Sequence, residues 1–205
     1  MEADLQLLQA WRDGDGLAGN KLFRRHFDAV FWFFRTKVGD VAEDLTQETF
    51  KALVRKRDSV ADAVSFRAYL FATARSKLYD LLRRKQRRGE LNPLSDSVED
   101  LGLSPSQVIG QRREQMMLVQ ALRRLPIELQ TLLELRYFEM MRGPDLAAAM
   151  DLPEGTVRSR LRRAHELLRA TMDKLADEPS LVESTMTDLS KWAQELRATP
   201  EDENP

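Results

Sequence analysis

Residues 143–170 read GPDLAAAMDLPEGTVRSRLRRAHELLRA, and this stretch decides the fold. It reads as a helix-turn-helix whose second helix carries arginine on one side. That helix is expected to begin near Pro153, since proline is tolerated in a first helical turn. Val157, Leu161, Ala164 and Leu168 recur at helical spacing and form an apolar stripe. Gly155, Arg158, Ser159, Arg162 and Arg163 fall on another face. One face can dock on a small core while the other meets a duplex. A helix N-terminus with the Thr156 and Ser159 hydroxyls suits phosphates, and arginine forks suit guanine edges in the major groove. The ordinary alternative is a solvated basic face on a core helix. Five arginines between Arg158 and Arg169, against Glu154 and Glu166, weigh against it.

The chain of 205 residues has room for one or two small domains. Charged residues make up 32% and hydrophobic ones 42%, a soluble helical profile, and at 7% aromatic the cores must be built mainly from Leu, Ala, Val and Met. With no cysteine, disulfides and cysteine-ligated metal sites are excluded. His26 and His165 lie far apart without a ligand pattern around either, so no metal and no cofactor is expected. No apolar run reaches the roughly 18 residues a membrane span needs. The opening MEADLQLLQAWRDGD lacks a signal-peptide pattern, so a cytoplasmic protein is expected.

The formal net charge of −1 conceals an asymmetry. Residues 171–205 hold nine acids and three bases, a net of −6, which leaves +5 on residues 1–170. Within these, Phe66 to Arg88 has eight bases and one acid. Binding to a polyanion follows as a live reading.

Nearly everything reads as helix. The first is expected over Asp4–Trp11, stopping at Gly14–Gly16. The second starts near Asn20 and ends by Gly39, carrying Leu22, Phe23, Phe27, Val30, Phe31 and Phe34 into a core. The third spans Ala42–Lys56, a polar break covers Arg57–Ser65, and the fourth runs Phe66–Arg88. These four can close one bundle around the run Phe31-Trp32-Phe33-Phe34. Gly89–Pro105, GELNPLSDSVEDLGLSP, has two prolines, two glycines, four acids and no base. Such a composition predicts a linker, mostly extended or disordered. A second helical domain follows over 106–170, with helices at Gln107–Arg124, Ile127–Glu139, Pro144–Met150 and Pro153–Ala170. The tail can hold one amphipathic helix with Leu181, Val182, Met186, Leu189, Trp192 and Leu196 on its apolar side, to be buried on the protein's own domains or on a partner; the ordinary alternative is a loosely attached solubilising tail.

The basic helix is FRAYLFATARSKLYDLLRRKQRR. Leu70, Ala74, Leu78 and Leu81 or Leu82 supply a buried stripe. Arg75, Ser76, Tyr79, Asp80 and Arg83 share another side, and Lys77 and Arg84 add charge. Asp80 can accept from the exocyclic amine of a base, or merely orient a neighbouring arginine. The preceding break, Lys56 to Ala63, could hold a base pulled from its stack. The bland alternative is a solvated charged helix end. On the third helix Asp44, Gln47, Glu48 and Lys51 lie together outside, while Leu45, Thr49, Leu53 and Phe50 face inward. A mostly acidic, amide-bearing face repels phosphate and suits a protein offering arginines. Glu43, Asp44 and Glu48 with His26 are the only metal-like grouping, and an exposed acidic helix face is its ordinary reading. No phosphate loop or nucleophile elbow is present, and no enzyme is expected.

Together these segments resemble an extracytoplasmic-function (ECF) sigma factor of bacterial RNA polymerase, from about Leu5 to Arg169. The resemblance is carried by AEDLTQETF (Ala42 to Phe50), FRAYLFATARSKLYDLLRRKQRR (Phe66 to Arg88), LRRLPIELQTLLELRYFE (Leu122 to Glu139) and LPEGTVRSRLRRAHELLR (Leu152 to Arg169). It implies an all-α chain of two helical domains: sigma region two over 1–88 and sigma region four over 106–170. A flexible acidic linker, 89–105, joins them, and an acidic C-terminal extension, 171–205, follows. It implies core RNA polymerase and promoter DNA as partners and admits an anti-sigma protein. By the same resemblance Asp44, Gln47 and Glu48 match the polymerase-gripping segment, with Lys51 on the same face. Arg75, Ser76, Lys77, Tyr79, Asp80, Arg83 and Arg84 match the minus-ten segment. Thr156, Arg158, Ser159, Arg162 and Arg163 match the minus-thirty-five reading helix. Ser76 stands where the family commonly has asparagine, and Tyr79 where a small or aliphatic residue is more usual. The turn Glu139 to Pro144 departs from the usual glycine-then-serine start of the helix-turn-helix.

A stand-alone helix-turn-helix regulator would explain only one of the two basic patches. An enzyme acting on nucleic acid lacks a catalytic set. A dissociable initiation factor explains both patches and the acidic face.

Overall fold

The computed structural model describes residues 3–56, 65–85, 91–102 and 112–198. Ten α-helices follow one another among them: α1 Asp4–Arg12, α2 Gly16–Val38, α3 Ala42–Arg55, α4 Phe66–Lys85, α5 Arg113–Arg123, α6 Ile127–Tyr137, α7 Gly143–Met150, α8 Glu154–Leu175, α9 Pro179–Thr187 and α10 Leu189–Ala198. The described residues form no strand. The expected break at Arg57–Ser65 and the end of the basic helix beyond Lys85 lie largely outside them.

Helix α2 starts earlier than the glycines suggested. The Asp15 carboxylate accepts from the Leu17 and Ala18 amides at 2.8 and 3.2 Å, an N-cap strong enough to begin the helix at Gly16. Gly14, at φ +105°, makes the left-handed turn that separates α1 from α2. Gly19 is needed for space: a Cβ there would meet the Trp11 indole at 2.5 Å.

Helices α1 to α4 form the expected bundle, with Leu22, Val30, Phe34, Leu53, Leu70, Phe71, Ala74 and Leu78 fully buried. The same core continues without interruption into Ile127, Leu132, Leu135, Leu146, Met150 and Val157 from α6, α7 and the start of α8. A second core gathers α5, the later part of α8 and the tail around Leu118, Leu129, Ala164, Leu168, Met172, Val182, Trp192 and Leu196. Trp32 departs from its aromatic neighbours and enters this second core, stacking at 6.4 Å on Phe138.

The tail differs from the single helix expected of it. It is two helices, α9 and α10, separated at Asp188. Their apolar residues keep one helical rhythm across the break, so periodicity alone cannot show it. Helix α8 also continues past Ala170, because Met172 is buried against the tail. The acidic linker is more ordered than its composition predicts over residues 91–102. There the Asp96 and Pro93 carbonyls accept from Ile127 and Glu128, each at 2.9 Å, which satisfies amides at the start of α6 that the helix cannot pair itself. Val98 is fully buried beneath them.

Candidate nucleic-acid interface

Helix α8 divides as its periodicity requires. Val157, Ala164 and Leu168 are buried and Leu161 is half-buried, while Arg158, Ser159, Arg162 and Arg163 are exposed and Thr156 is half-buried. The Ser159 hydroxyl donates to the Thr156 carbonyl at 2.9 Å. Arg160 and Arg169 are engaged elsewhere, Arg160 with Glu128 and Arg169 with Glu183 of the tail at 2.5 Å. Arg162 approaches Glu166 only at 3.9 Å, with both side chains mostly in water. So Arg158, Arg162 and Arg163 present an accessible cationic face. Beside it a cleft of about 270 Å³ is lined by Arg136, Arg142 and Arg158, the single carboxylate of Glu154, and the apolar Leu146 and Val157. Arg136 and Arg142 were missed because α6 reads as a core helix and Glu139 to Pro144 as a turn; their signal is only their convergence in space.

Helix α3 buries Leu45, Thr46, Thr49, Phe50 and Leu53 and leaves Asp44, Gln47 and Lys51 exposed, with Glu48 at the edge. Gln47 donates to Glu43 at 3.3 Å and Lys51 to Glu48 at 3.1 Å. The Lys51 ammonium holds the Glu48 carboxyl below its ordinary range. His26 does not join these acids: its Nε2 meets Asp4 at 2.7 Å. No three His, Asp or Glu side chains converge as metal ligands among the described residues.

Helix α4 does not keep its basic side together. Ser76, Asp80, Arg83 and Arg84 are exposed, and Arg83 pairs with Asp80 at 3.2 Å. Lys77 is half-buried near Glu48. Arg75 and Tyr79 turn instead toward the helix-turn-helix. Arg75 donates to the Met150 carbonyl, capping the negative end of α7. Burial pushes the Tyr79 phenol above its ordinary range, and its hydroxyl has no hydrogen-bond partner among the described residues.

Buried ions join the two halves at three further places. Lys37, fully buried at the end of α2, meets the Glu134 carboxylate of α6 and donates to the Phe33 carbonyl at 2.8 Å. Burial lowers its pKa against the pull of Glu134. Arg123 of α5 donates to the Thr36 carbonyl at 2.6 Å. Glu139 lies between Arg67 of α4 at 3.4 Å and Arg197 of α10 at 3.2 Å. Burial raises the Glu139 carboxyl above the ordinary range in spite of these two guanidiniums.

An all-helical chain that pairs an acidic surface helix with an arginine-faced helix-turn-helix has the build of a DNA-binding transcription protein. Residues 22–88 match the family model Sigma-70 region 2, and residues 115–168 match Sigma-70, region 4. The RNA polymerase sigma factor NccH of Alcaligenes xylosoxydans xylosoxydans is 30% identical over 177 residues, covering 82% of this chain and 94% of NccH. The ECF RNA polymerase sigma factor SigL of Mycobacterium tuberculosis is 28% identical over 169 residues, covering 79% of this chain and 95% of SigL. The sigma factor RpoE of Bartonella quintana, solved in complex with the anti-sigma factor NepR, shares the fold at a TM-score of 0.58 and 23% identity, covering 78% of this chain and 98% of that one. The chain belongs to the ECF sigma factors of bacterial RNA polymerase. Its function is theirs: it directs core polymerase to promoters and serves transcription initiation. The stand-alone regulator is not favoured.

Proposed function

We propose that three surfaces divide the work of initiation. The acidic face of α3, Asp44, Gln47, Glu48 and Lys51, binds core polymerase. The side of α4 that holds Arg75, Ser76, Lys77, Tyr79, Asp80, Arg83 and Arg84 acts on the minus-ten element, together with the break before it. Thr156, Arg158, Ser159, Arg162 and Arg163 of α8 take the minus-thirty-five element, with Arg136 and Arg142 as added phosphate contacts. In this reading region two is 1–88, the linker 89–105, region four 106–170 and the extension 171–205. The protein performs no catalysis of its own and works in the cytoplasm. An anti-sigma protein restrains it, as NepR binds the Bartonella relative.

The observation that carries this reading is the accessible face of Arg158, Arg162 and Arg163, set apart from the acidic face of α3. Guanidinium forks reach phosphates and guanine edges, whereas carboxylates cannot approach a duplex. Run-off transcription with core enzyme and a genomic promoter library is the test. Transcripts that start at a shared upstream motif, and that vanish without the protein, are expected. Tight, specific promoter binding by the free protein, indifferent to core enzyme, would instead return the stand-alone regulator.

A further inference from the structure

In the described arrangement the two reading surfaces are not equally available. The arginines of α8 are open, but α7 covers part of α4, with Arg75 spent on the Met150 carbonyl and Tyr79 half-buried. If Arg75 and Tyr79 are to touch DNA, α7 must leave α4. One polar group at this boundary is poorly served while it stays. The Tyr79 hydroxyl is buried without a hydrogen-bond partner among the described residues. Leaving a buried polar group unpaired is unfavourable. The closed arrangement therefore needs compensating contacts.

The tail supplies some of them at one point. Gln194 donates to the Tyr137 and Phe138 carbonyls at 2.7 and 3.0 Å, and Arg197 donates to Phe138 at 3.0 Å, binding the end of α6. Arg197 also holds Glu139, and Glu139 in turn holds Arg67 on α4. The buried Glu139 is thus a node between the extension and region two. Farther along, Glu183 of α9 pairs with Arg169, and Trp192 and Leu196 fill the core beneath α5 and α8.

We infer that the C-terminal extension is a clamp that keeps region four folded down over α4 in the free protein, acting through Glu139. The clamp must yield when region two reads DNA. This rests on the proposed role of Arg75 and Tyr79.

The chain has no cysteine, so one introduced thiol reports alone. Ala147 of α7 is buried in the core that region two and region four share, and Ala147→Cys in the full chain should react slowly with a maleimide. Adding Arg197→Ala with Gln194→Ala should raise the labelling rate and the affinity of the holoenzyme for an opened minus-ten DNA, each roughly tenfold, a typical coupling between two states. Helicity should be unchanged. Arg67→Ala reaches the same node from α4 and should raise labelling as well; it decides the matter if the tail variant loses helicity. Unchanged labelling overturns the clamp. So does faster labelling with unchanged affinity for opened minus-ten DNA, since the contact would then be structural only. Failure of the intact chain to bind core polymerase would sink the sigma reading, while the labelling result would still report on the clamp.

Discussion

Lys37 lies one helical turn past the aromatic run of α2, and its ammonium has left water altogether to meet Glu134. Removing one partner of such a pair strands the other charge, at about 3–5 kcal/mol. Lys37→Met should therefore lower stability by that order in chemical denaturation, and Lys37→Met with Glu134→Met should recover most of it; a double variant worse than the single would reject this account. His26 offers a pH test. Burial lowers its pKa and outweighs the attraction of Asp4, with Arg67 and Arg25 acting the same way as burial. Between that lowered value and the unfolded value near 6.5, the unfolded chain binds more protons. Stability should thus fall as pH drops through that window, and the loss should stop below it. Denaturation midpoints at pH about 7.5 and about 5.5 should differ less in His26→Gln than in the native chain. Arg162→Ala and Arg163→Ala address reading itself. A lost base contact should relax preference at one upstream position by about 1–3 kcal/mol. A lost phosphate contact should instead weaken all promoters alike and reduce the salt slope by about one. The exposure of these arginines was legible in the sequence, because helical spacing fixes a face. The Lys37–Glu134 pair was not, because its partners lie 97 residues apart and spacing says nothing of distant partners.

At the scale of the helix, α3 and α8 are the elements that the sequence foretold best. Each carries one apolar stripe and one polar face of a single character, so periodicity and charge agree. Reversing Asp44 and Glu48 to lysine should leave α3 helical, since both side chains project from its outer side, and should weaken competition for core enzyme. Full competition by the double variant would remove α3 from the polymerase interface. Helix α4 was half legible. Its stripe of Leu70, Ala74, Leu78 and Leu82 is buried as expected, but α7 claims Arg75 and Tyr79 from the side read as free. A helix buried on more than one side blurs its own pattern. The α1–α2 junction gives a packing test. Gly19→Ala forces a methyl into the Trp11 ring and should cost about 1–3 kcal/mol, as overpacking does. A loss no larger than an exposed Gly16→Ala control shows would mean that Trp11 can move aside.

For the whole molecule, the composition predicted two helical units, and the two family matches fall on them. What composition could not convey is that one core runs through both, from Leu22 to Val157. Hydrophobic burial is non-directional, so a stripe on α6 or α7 looks the same whether it faces its own domain or the next. A shared core should unfold as one unit: calorimetry of the full chain should show a single transition, and two resolved transitions would argue against the coupling. The three tryptophans give this arrangement its own optical readout. Trp11 lies within the first bundle, edge-on to Phe23 at 5.1 Å; Trp32 lies where that bundle meets Phe138; Trp192 belongs to the tail and is buried with α5 and α8. Each fluorophore thus watches a different seam. With the other two changed to phenylalanine, a red shift confined to Trp32 would mark separation of the regions, and one confined to Trp192 would mark a tail that has peeled away. The order in which those colours change on adding core enzyme would reveal which seam opens first.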